Sequence, residues 1–186
     1  MTSLADSAEL LLTLARQARA AESEAELRFL LVNDTHTLAD YRQGAFRVAG
    51  LGVQAMSGVV QIEANAPYAL WLEKVSAHLA ANNPAAAIVT PDSLPAGLGV
   101  EWSEWLPQEA LWLPMPAAEG VPASALLLAR DHPWTEAEVV ALREWLEIWW
   151  HCWRARFKVP LTSWRALRFR LLGNPEAAGP WWKRRS

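Results

Sequence analysis

The chain has 186 residues, 52% of them apolar and 20% charged, and a formal net charge of −3. That balance fits one well-buried core and excludes a disordered chain, while the lack of any run of about 18 apolar residues excludes a membrane-spanning helix within it. The lone Cys152 excludes an internal disulfide framework and leaves no Cys-x-x-Cys pair for zinc or redox chemistry, so a reducing compartment is expected.

In chain order, "MTSLADSAELLLTLARQ" carries Asp6 and Glu9 and lacks a basic start, so it does not read as a secretory signal. Without secretion, the Asn33-Asp34-Thr35 glycosylation sequon is a coincidence. Leu4, Ala8, Leu11, Ala15 and Ala18 recur at helical spacing over residues 4–20, with Arg16 and Arg19 outside that stripe. A second helix starts at Ser23, where Glu26 three residues on fits a capping box, and it runs through Leu27, Leu30, Leu31 and Asp34 to Leu38. From Tyr41 the period changes. "YRQGAFRVAG" and "VQAMSGVVQIE" are β-prone runs separated by Gly50-Leu51-Gly52, which predicts a hairpin.

Asn65-Ala66-Pro67 sets up a helix through "YALWLEKVSAHLAA", "AAAIV" gives a strand, and "TPDSLPAGLG" reads as loop. "ALWLPMPA" and "ASALLLARD" flank Glu119-Gly120-Val121-Pro122 and predict a second hairpin, whose second strand is apolar enough to be central in the sheet. Thr135 with Glu138 is a capping box, and Trp134 with Val139 has the spacing of a hydrophobic staple. The helix that follows presents Leu142, Trp145, Leu146, Trp149 and Trp153 on one wide face. Helices segregated from a mostly antiparallel sheet make this an α+β domain over residues 1–157. The twelve tryptophans suit a core, an interface or a membrane boundary and do not choose among them.

Three stretches, "ELRFLLVNDTHTLADYRQGAF", "AMSGVVQIEANAPYALWLEKV" and the capped Trp-rich helix from Thr135, resemble GAF domains. They are closest in wording to the GAF-like cytoplasmic domains that precede the membrane helix of HlyD-type membrane fusion proteins, the periplasmic adaptors of bacteria. The resemblance implies a central antiparallel sheet of five or six strands with helices packed mainly on one face, a helical layer that mediates dimers, and a ligand pocket on the opposite face. It also implies that "WWKRRS" stands where the chain would enter the inner membrane, so that the sequence is a fragment.

No catalytic motif is present: there is no HExxH, GxSxG or P-loop, and Gly97-Leu98-Gly99 lacks the third glycine and the helix of a dinucleotide fingerprint. No enzyme activity, metal or cofactor is expected. Glu101 and Glu104 in "EWSEW" read as an acidic solvent loop rather than an acid/base pair. Asn33, His36 and Thr37 share a surface at the end of the second helix, where they either bond the last carbonyls and the Tyr41 hydroxyl or edge a pocket; the local reading is favoured. Arg42 can grip a phosphate or carboxylate bidentately, or pair with an acid of this acidic body. Ser57, Asn65 and Tyr68 occupy the turn and helix start where a pocket lid would lie. Trp145, Trp149 and Trp153 form a face more apolar than one sheet needs, which points to a dimer interface.

Charge divides the chain. Residues 1–152 carry 8 Lys/Arg against 19 Asp/Glu, a balance of −11, and residues 153–186 carry 9 against 1, a balance of +8. Residues 158–186 therefore read as a basic juxtamembrane segment in which Arg165, Arg168, Arg170, Trp181, Trp182, Lys183, Arg184 and Arg185 meet anionic lipid. Within it, Trp164, Leu167 and Leu171 share one stripe of a short helix capped by Thr162 or Ser163 and ended at Gly173. The expectation is a non-enzymatic regulatory or interaction domain on the cytoplasmic face of the bacterial inner membrane, part of an efflux or secretion adaptor. Its expected partners are a second copy, the anionic membrane surface, a small-molecule ligand and transporter or secretion components, without nucleic acid. The alternatives are a small-molecule sensor taking a nucleotide-like ligand and a soluble protein-interaction module.

Overall fold

A computed structural model describes residues 4–157 except Ala64, so the basic segment and its eight proposed membrane contacts lie outside the described residues. Helix α1 (Leu4–Ala20) and helix α2 (Glu24–Asn33) lead into strands β1 (Gln43–Val48) and β2 (Gly52–Met56). Helix α3 (Pro67–Asn82), strand β3 (Ala87–Val89) and the single turns α4 (Ala96–Gly99) and α5 (Trp102–Trp105) follow, then β4 (Glu109–Met115), β5 (Ser124–Arg130) and α6 (Glu136–Arg156).

The five strands form one sheet in the order β2-β1-β5-β4-β3, with every neighbouring pair antiparallel. This is an α+β fold with an open five-stranded sheet. The β1–β2 connection needs positive φ at Gly50 and Gly52, which explains the glycine punctuation there. β5 occupies the centre, and all seven of its residues are buried. Its unbroken apolar run follows from cover on both faces, because neither set of alternating side chains meets water.

The period-two alternation divides the core. Phe46, Leu111, Leu113, Leu126 and Leu128 face α1, α2 and α6. Ala45, Ala110, Trp112, Ala125, Leu127 and Ala129 face α3 and the turns around α4 and α5. Helices packed mainly on one face therefore need correction: the long α1, α2 and α6 do share a face, but the other face is also covered. Two further expectations change. "TPDSLPAGLG" is not open loop but a 3-10 turn, Pro91–Ser93, followed by α4. A Cβ at Gly99 would stand 2.5 Å from the Pro91 carbonyl oxygen, so the two turns pack closely only because that residue is glycine. "EWSEW" is likewise no simple solvent loop. Glu101 and Glu104 are exposed, but Trp102 is buried in the α3-side core and its indole donates to the Pro107 carbonyl.

At the start of α6, Thr135 Oγ1 accepts from the Glu138 backbone N–H at 3.3 Å, and Glu138 Oε2 accepts from the Thr135 N–H at 2.9 Å. Arg130 completes this junction from the end of β5. Its guanidinium donates to both Glu138 oxygens at 2.8 and 2.6 Å and to the carbonyls of Asp40, His132 and Pro133. It lies 3.8 Å from the Trp134 ring centroid and is only 2% exposed. With its donors this fully engaged, the buried charge is satisfied. The sheet end, the α2–β1 junction and the α6 N-terminus are thereby tied to one side chain.

The expected dimer face is also corrected. Trp145, Trp149 and Trp153 are at most 1% exposed and point into the chain's own core. Trp145 donates to Thr35 Oγ1 at 2.7 Å, Trp149 donates to the Leu27 carbonyl at 2.8 Å, and Phe46 packs edge-on against Trp149 and Trp153. These indoles join α6 to α2 and the sheet and have no surface left to offer a second copy.

Candidate functional site

Six of the seven residues expected to gather at a pocket fall into two groups on opposite faces of the sheet, and Asn65 joins neither. The first surrounds the α2–β1 junction. Helix α2 stops at Asn33 and a 3-10 turn, Asp34–Thr37, takes over, so the helix does not reach Leu38. Tyr41 is buried there, and its hydroxyl donates to the Val32 carbonyl at 2.8 Å; burial pushes its pKa upward. The His36 ring lies tilted against that of Tyr41 with centroids 4.8 Å apart, and His36 pairs with Asp40 at 3.2 Å. Asn33 donates to the Phe29 carbonyl and accepts from the Gly58 N–H, while Ser57 Oγ accepts from the Gly44 N–H. Thr37 caps the Asp34 carbonyl. Asn33, Thr37, Tyr41 and Ser57 bond to backbone groups of α2, of the turn after it, of β1 and of the turn after β2. The polar side chains at this junction thus satisfy backbone groups that a terminating helix and a starting strand leave open.

The second group borders a cleft on the other face, about 620 Å³ in volume, between the start of β1 and α5. Gln43, Thr90, Trp102, Trp105, Leu106 and Gln108 line it, with Arg42 and Asp131 at its rim. Tyr68 stands just behind: its hydroxyl donates to Gln43 Oε1 at 3.3 Å, and its ring lies 5.6 Å from that of Trp105 and 6.4 Å from that of Trp71. Burial pushes the Tyr68 phenol up to about 12, so it remains a neutral donor at physiological pH. Arg42 donates to Asp131 at 2.6 Å, and that hydrogen bond holds the Asp131 carboxyl below its usual range. Both partners are well exposed, so the pair closes nothing by itself. Asn65 is exposed in the turn before α3 and belongs to neither group.

One feature of the cleft wall is unmatched. The indole N–H of Trp105 is buried and has no hydrogen-bond partner, although Trp71 and Trp102 on the same face donate to the Leu98 and Pro107 carbonyls. A buried donor without an acceptor destabilises by about 1–3 kcal/mol. Gln43, Thr90, Trp102, Trp105, Gln108 and Asp131 were not legible as site residues, but one signal was present. Trp102 and Trp105 are three apart, the spacing that puts two side chains on one side of a helical turn.

The chain matches no family model and no curated protein. Among solved structures it is similar to CepR2 from Burkholderia cenocepacia, an N-acylhomoserine lactone dependent transcription factor of the LuxR family. The TM-score is 0.55 at 12% identity, over 84% of this chain and 99% of that one. At that identity the likeness is one of fold. It overturns the resemblance drawn from the sequence, since neither a GAF domain nor an HlyD-type adaptor context finds support. The stretches that carried the resemblance have local explanations: the first builds α2, its polar end and β1, and the second builds the end of β2, a turn and α3. Among the described residues no helix is long and apolar enough to cross a membrane, and no cluster of three His, Cys, Asp or Glu side chains could hold a metal ion.

Proposed function

We propose that the chain is a non-enzymatic regulatory domain that senses a small amphipathic molecule in the cleft between β1 and α5. The observation that carries this reading is the buried, unpartnered Trp105 indole N–H in the wall of an aromatic cleft. A cleft of about 300–1,000 Å³ lined by aromatic groups and a few polar ones is the usual form of a small-molecule site. Trp102, Trp105 and Leu106 suit an apolar body, and Gln43, Thr90 and the Trp105 N–H suit carbonyl or amide groups. N-acylhomoserine lactones have this make-up, an acyl chain carrying carbonyl oxygens, and the structurally similar CepR2 depends on them.

The test is native mass spectrometry and a fluorescence titration of the full chain with N-acylhomoserine lactones and fatty-acyl amides of graded length. Saturable binding is expected, weakened about five- to tenfold by Trp105→Phe, which keeps the ring and removes the donor. The reading fails if no compound binds, or if Trp105→Phe binds as tightly as wild type.

A further inference from the structure

Gln43 opens β1, and the alternation along that strand turns its side chain, like that of Ala45, toward the α3 side of the sheet. Its backbone pairs in register with Ala129 of β5, so the amide enters the cleft from a fixed base. Tyr68 stands behind it in the first turn of α3. The rings of Trp71 and Trp105 lie against the phenol at interplanar angles of 24° and 32° and hold its hydroxyl in place. That hydroxyl donates to Gln43 Oε1, and among the described residues nothing accepts from Gln43 Nε2.

An amide can present either its donor or its acceptor end, and two conditions set which one meets the cleft. With the amide turned round, Nε2 would face the tyrosine and the partly buried phenol proton would lose its acceptor; as it stands, the phenol is satisfied and Nε2 meets open space. The lining also carries Asp92, Glu104 and Asp131 against Arg42, a negative excess that favours the positive N–H end pointing outward. We infer that Tyr68 is a positioning residue that fixes Gln43 as a donor and so makes the cleft selective for uncharged carbonyl ligands. One carbonyl oxygen meets Gln43 Nε2, a second meets the Trp105 N–H, and the matching carboxylate is rejected. This rests on the reading of the cleft as a small-molecule site and adds what the molecule must present there. A carboxylate also offers acceptors, but it would bring a further negative charge to a lining that already holds three carboxylates and one guanidinium. A ligand bearing donors alone would leave both N–H groups unmatched.

The experiment is a nuclear magnetic resonance titration of the isotope-labelled full chain with N-hexanoylglycine dimethylamide, an uncharged acyl chain with two carbonyls, and with N-hexanoylglycine, its acid. For the dimethylamide, saturable shifts of both the Trp105 indole and the Gln43 side-chain amide resonances are expected. The acid should bind about tenfold more weakly at pH 7, with the gap narrowing in high salt. Tyr68→Phe keeps the ring and frees the amide: Trp105 should still respond, while the Gln43 shift shrinks and the affinity falls about fivefold. Gln43→Glu keeps an acceptor for Tyr68 but removes the donor, and should bind the dimethylamide about tenfold more weakly. A Trp105 response without one at Gln43, equal binding of the acid, or an unchanged Gln43 shift and affinity in Tyr68→Phe overturns the inference and leaves the small-molecule reading standing. No response at either residue overturns both.

Discussion

The Arg130–Glu138 junction permits a quantitative test of what holds the start of α6 to the sheet. In the folded chain Glu138 is held down to about 2 from its usual 4.5, chiefly by the hydrogen bonds from Arg130, with the Thr135 bonds adding to the effect. A depressed carboxylate contributes stability that is fully present above about pH 4.5 and lost as pH falls through the folded value near 2. The shift corresponds to about 3 kcal/mol. The carboxylate side chain is 26% exposed, and water screening reduces the expected contribution to about 2 kcal/mol. About two-fifths of that should be gone by pH 3.5, where the unfolded carboxyl is mostly protonated and the folded one is not. The assay is urea denaturation of wild type and Glu138→Gln at pH 7.0 and pH 3.5. Glu138→Gln should lower stability by about 2–3 kcal/mol at pH 7.0, because it leaves the buried Arg130 charge unpaired. The gap should shrink by about 0.8 kcal/mol at pH 3.5. A gap that is equal at the two pH values, or smaller than about 0.5 kcal/mol at pH 7.0, would refute the argument that the pair is energetically coupled.

Two other substitutions address the two layers of the core. Trp149→Glu should unfold the chain rather than dissociate an assembly, because it places an unpaired charge at a fully buried site between Phe46 and Trp153; a loss above about 4 kcal/mol by circular dichroism melts is expected. A folded variant with altered mass by light scattering would restore the interface reading. Gly99→Ala should lower stability by about 1–3 kcal/mol, since the new methyl would meet the Pro91 carbonyl at 2.5 Å. It should also loosen the wall that carries Trp102, which hydrogen-exchange protection of residues 100–108 would register as faster exchange; unchanged stability and exchange would count against close packing of the two turns.

The order of the long elements was legible because their signals are local. Ser23 and Thr135 both accept from the N–H three residues on, Gly50 and Gly52 punctuate the first hairpin, and the apolar run of β5 reports burial on both sheet faces. The two single turns that build the ligand-side wall were not legible, because a four-residue helix has too little sequence to show a period. The same limit explains the misreading of the tryptophans. A stripe such as Trp145, Trp149 and Trp153 states that one face of α6 is apolar, but only tertiary structure decides whether α2 and β1 or a second copy covers it. The polar residues were misleading for the converse reason. Asn33, Thr37, Tyr41 and Ser57 are conspicuous in sequence because they stand where regular structure ends, and there the backbone itself takes up their hydrogen bonds. A site for another molecule is better marked by a group whose bonding is left incomplete. By that criterion the indole N–H groups of Trp105 and Trp150, each buried without an acceptor on a residue that lines open space, are better guides than the polar junction.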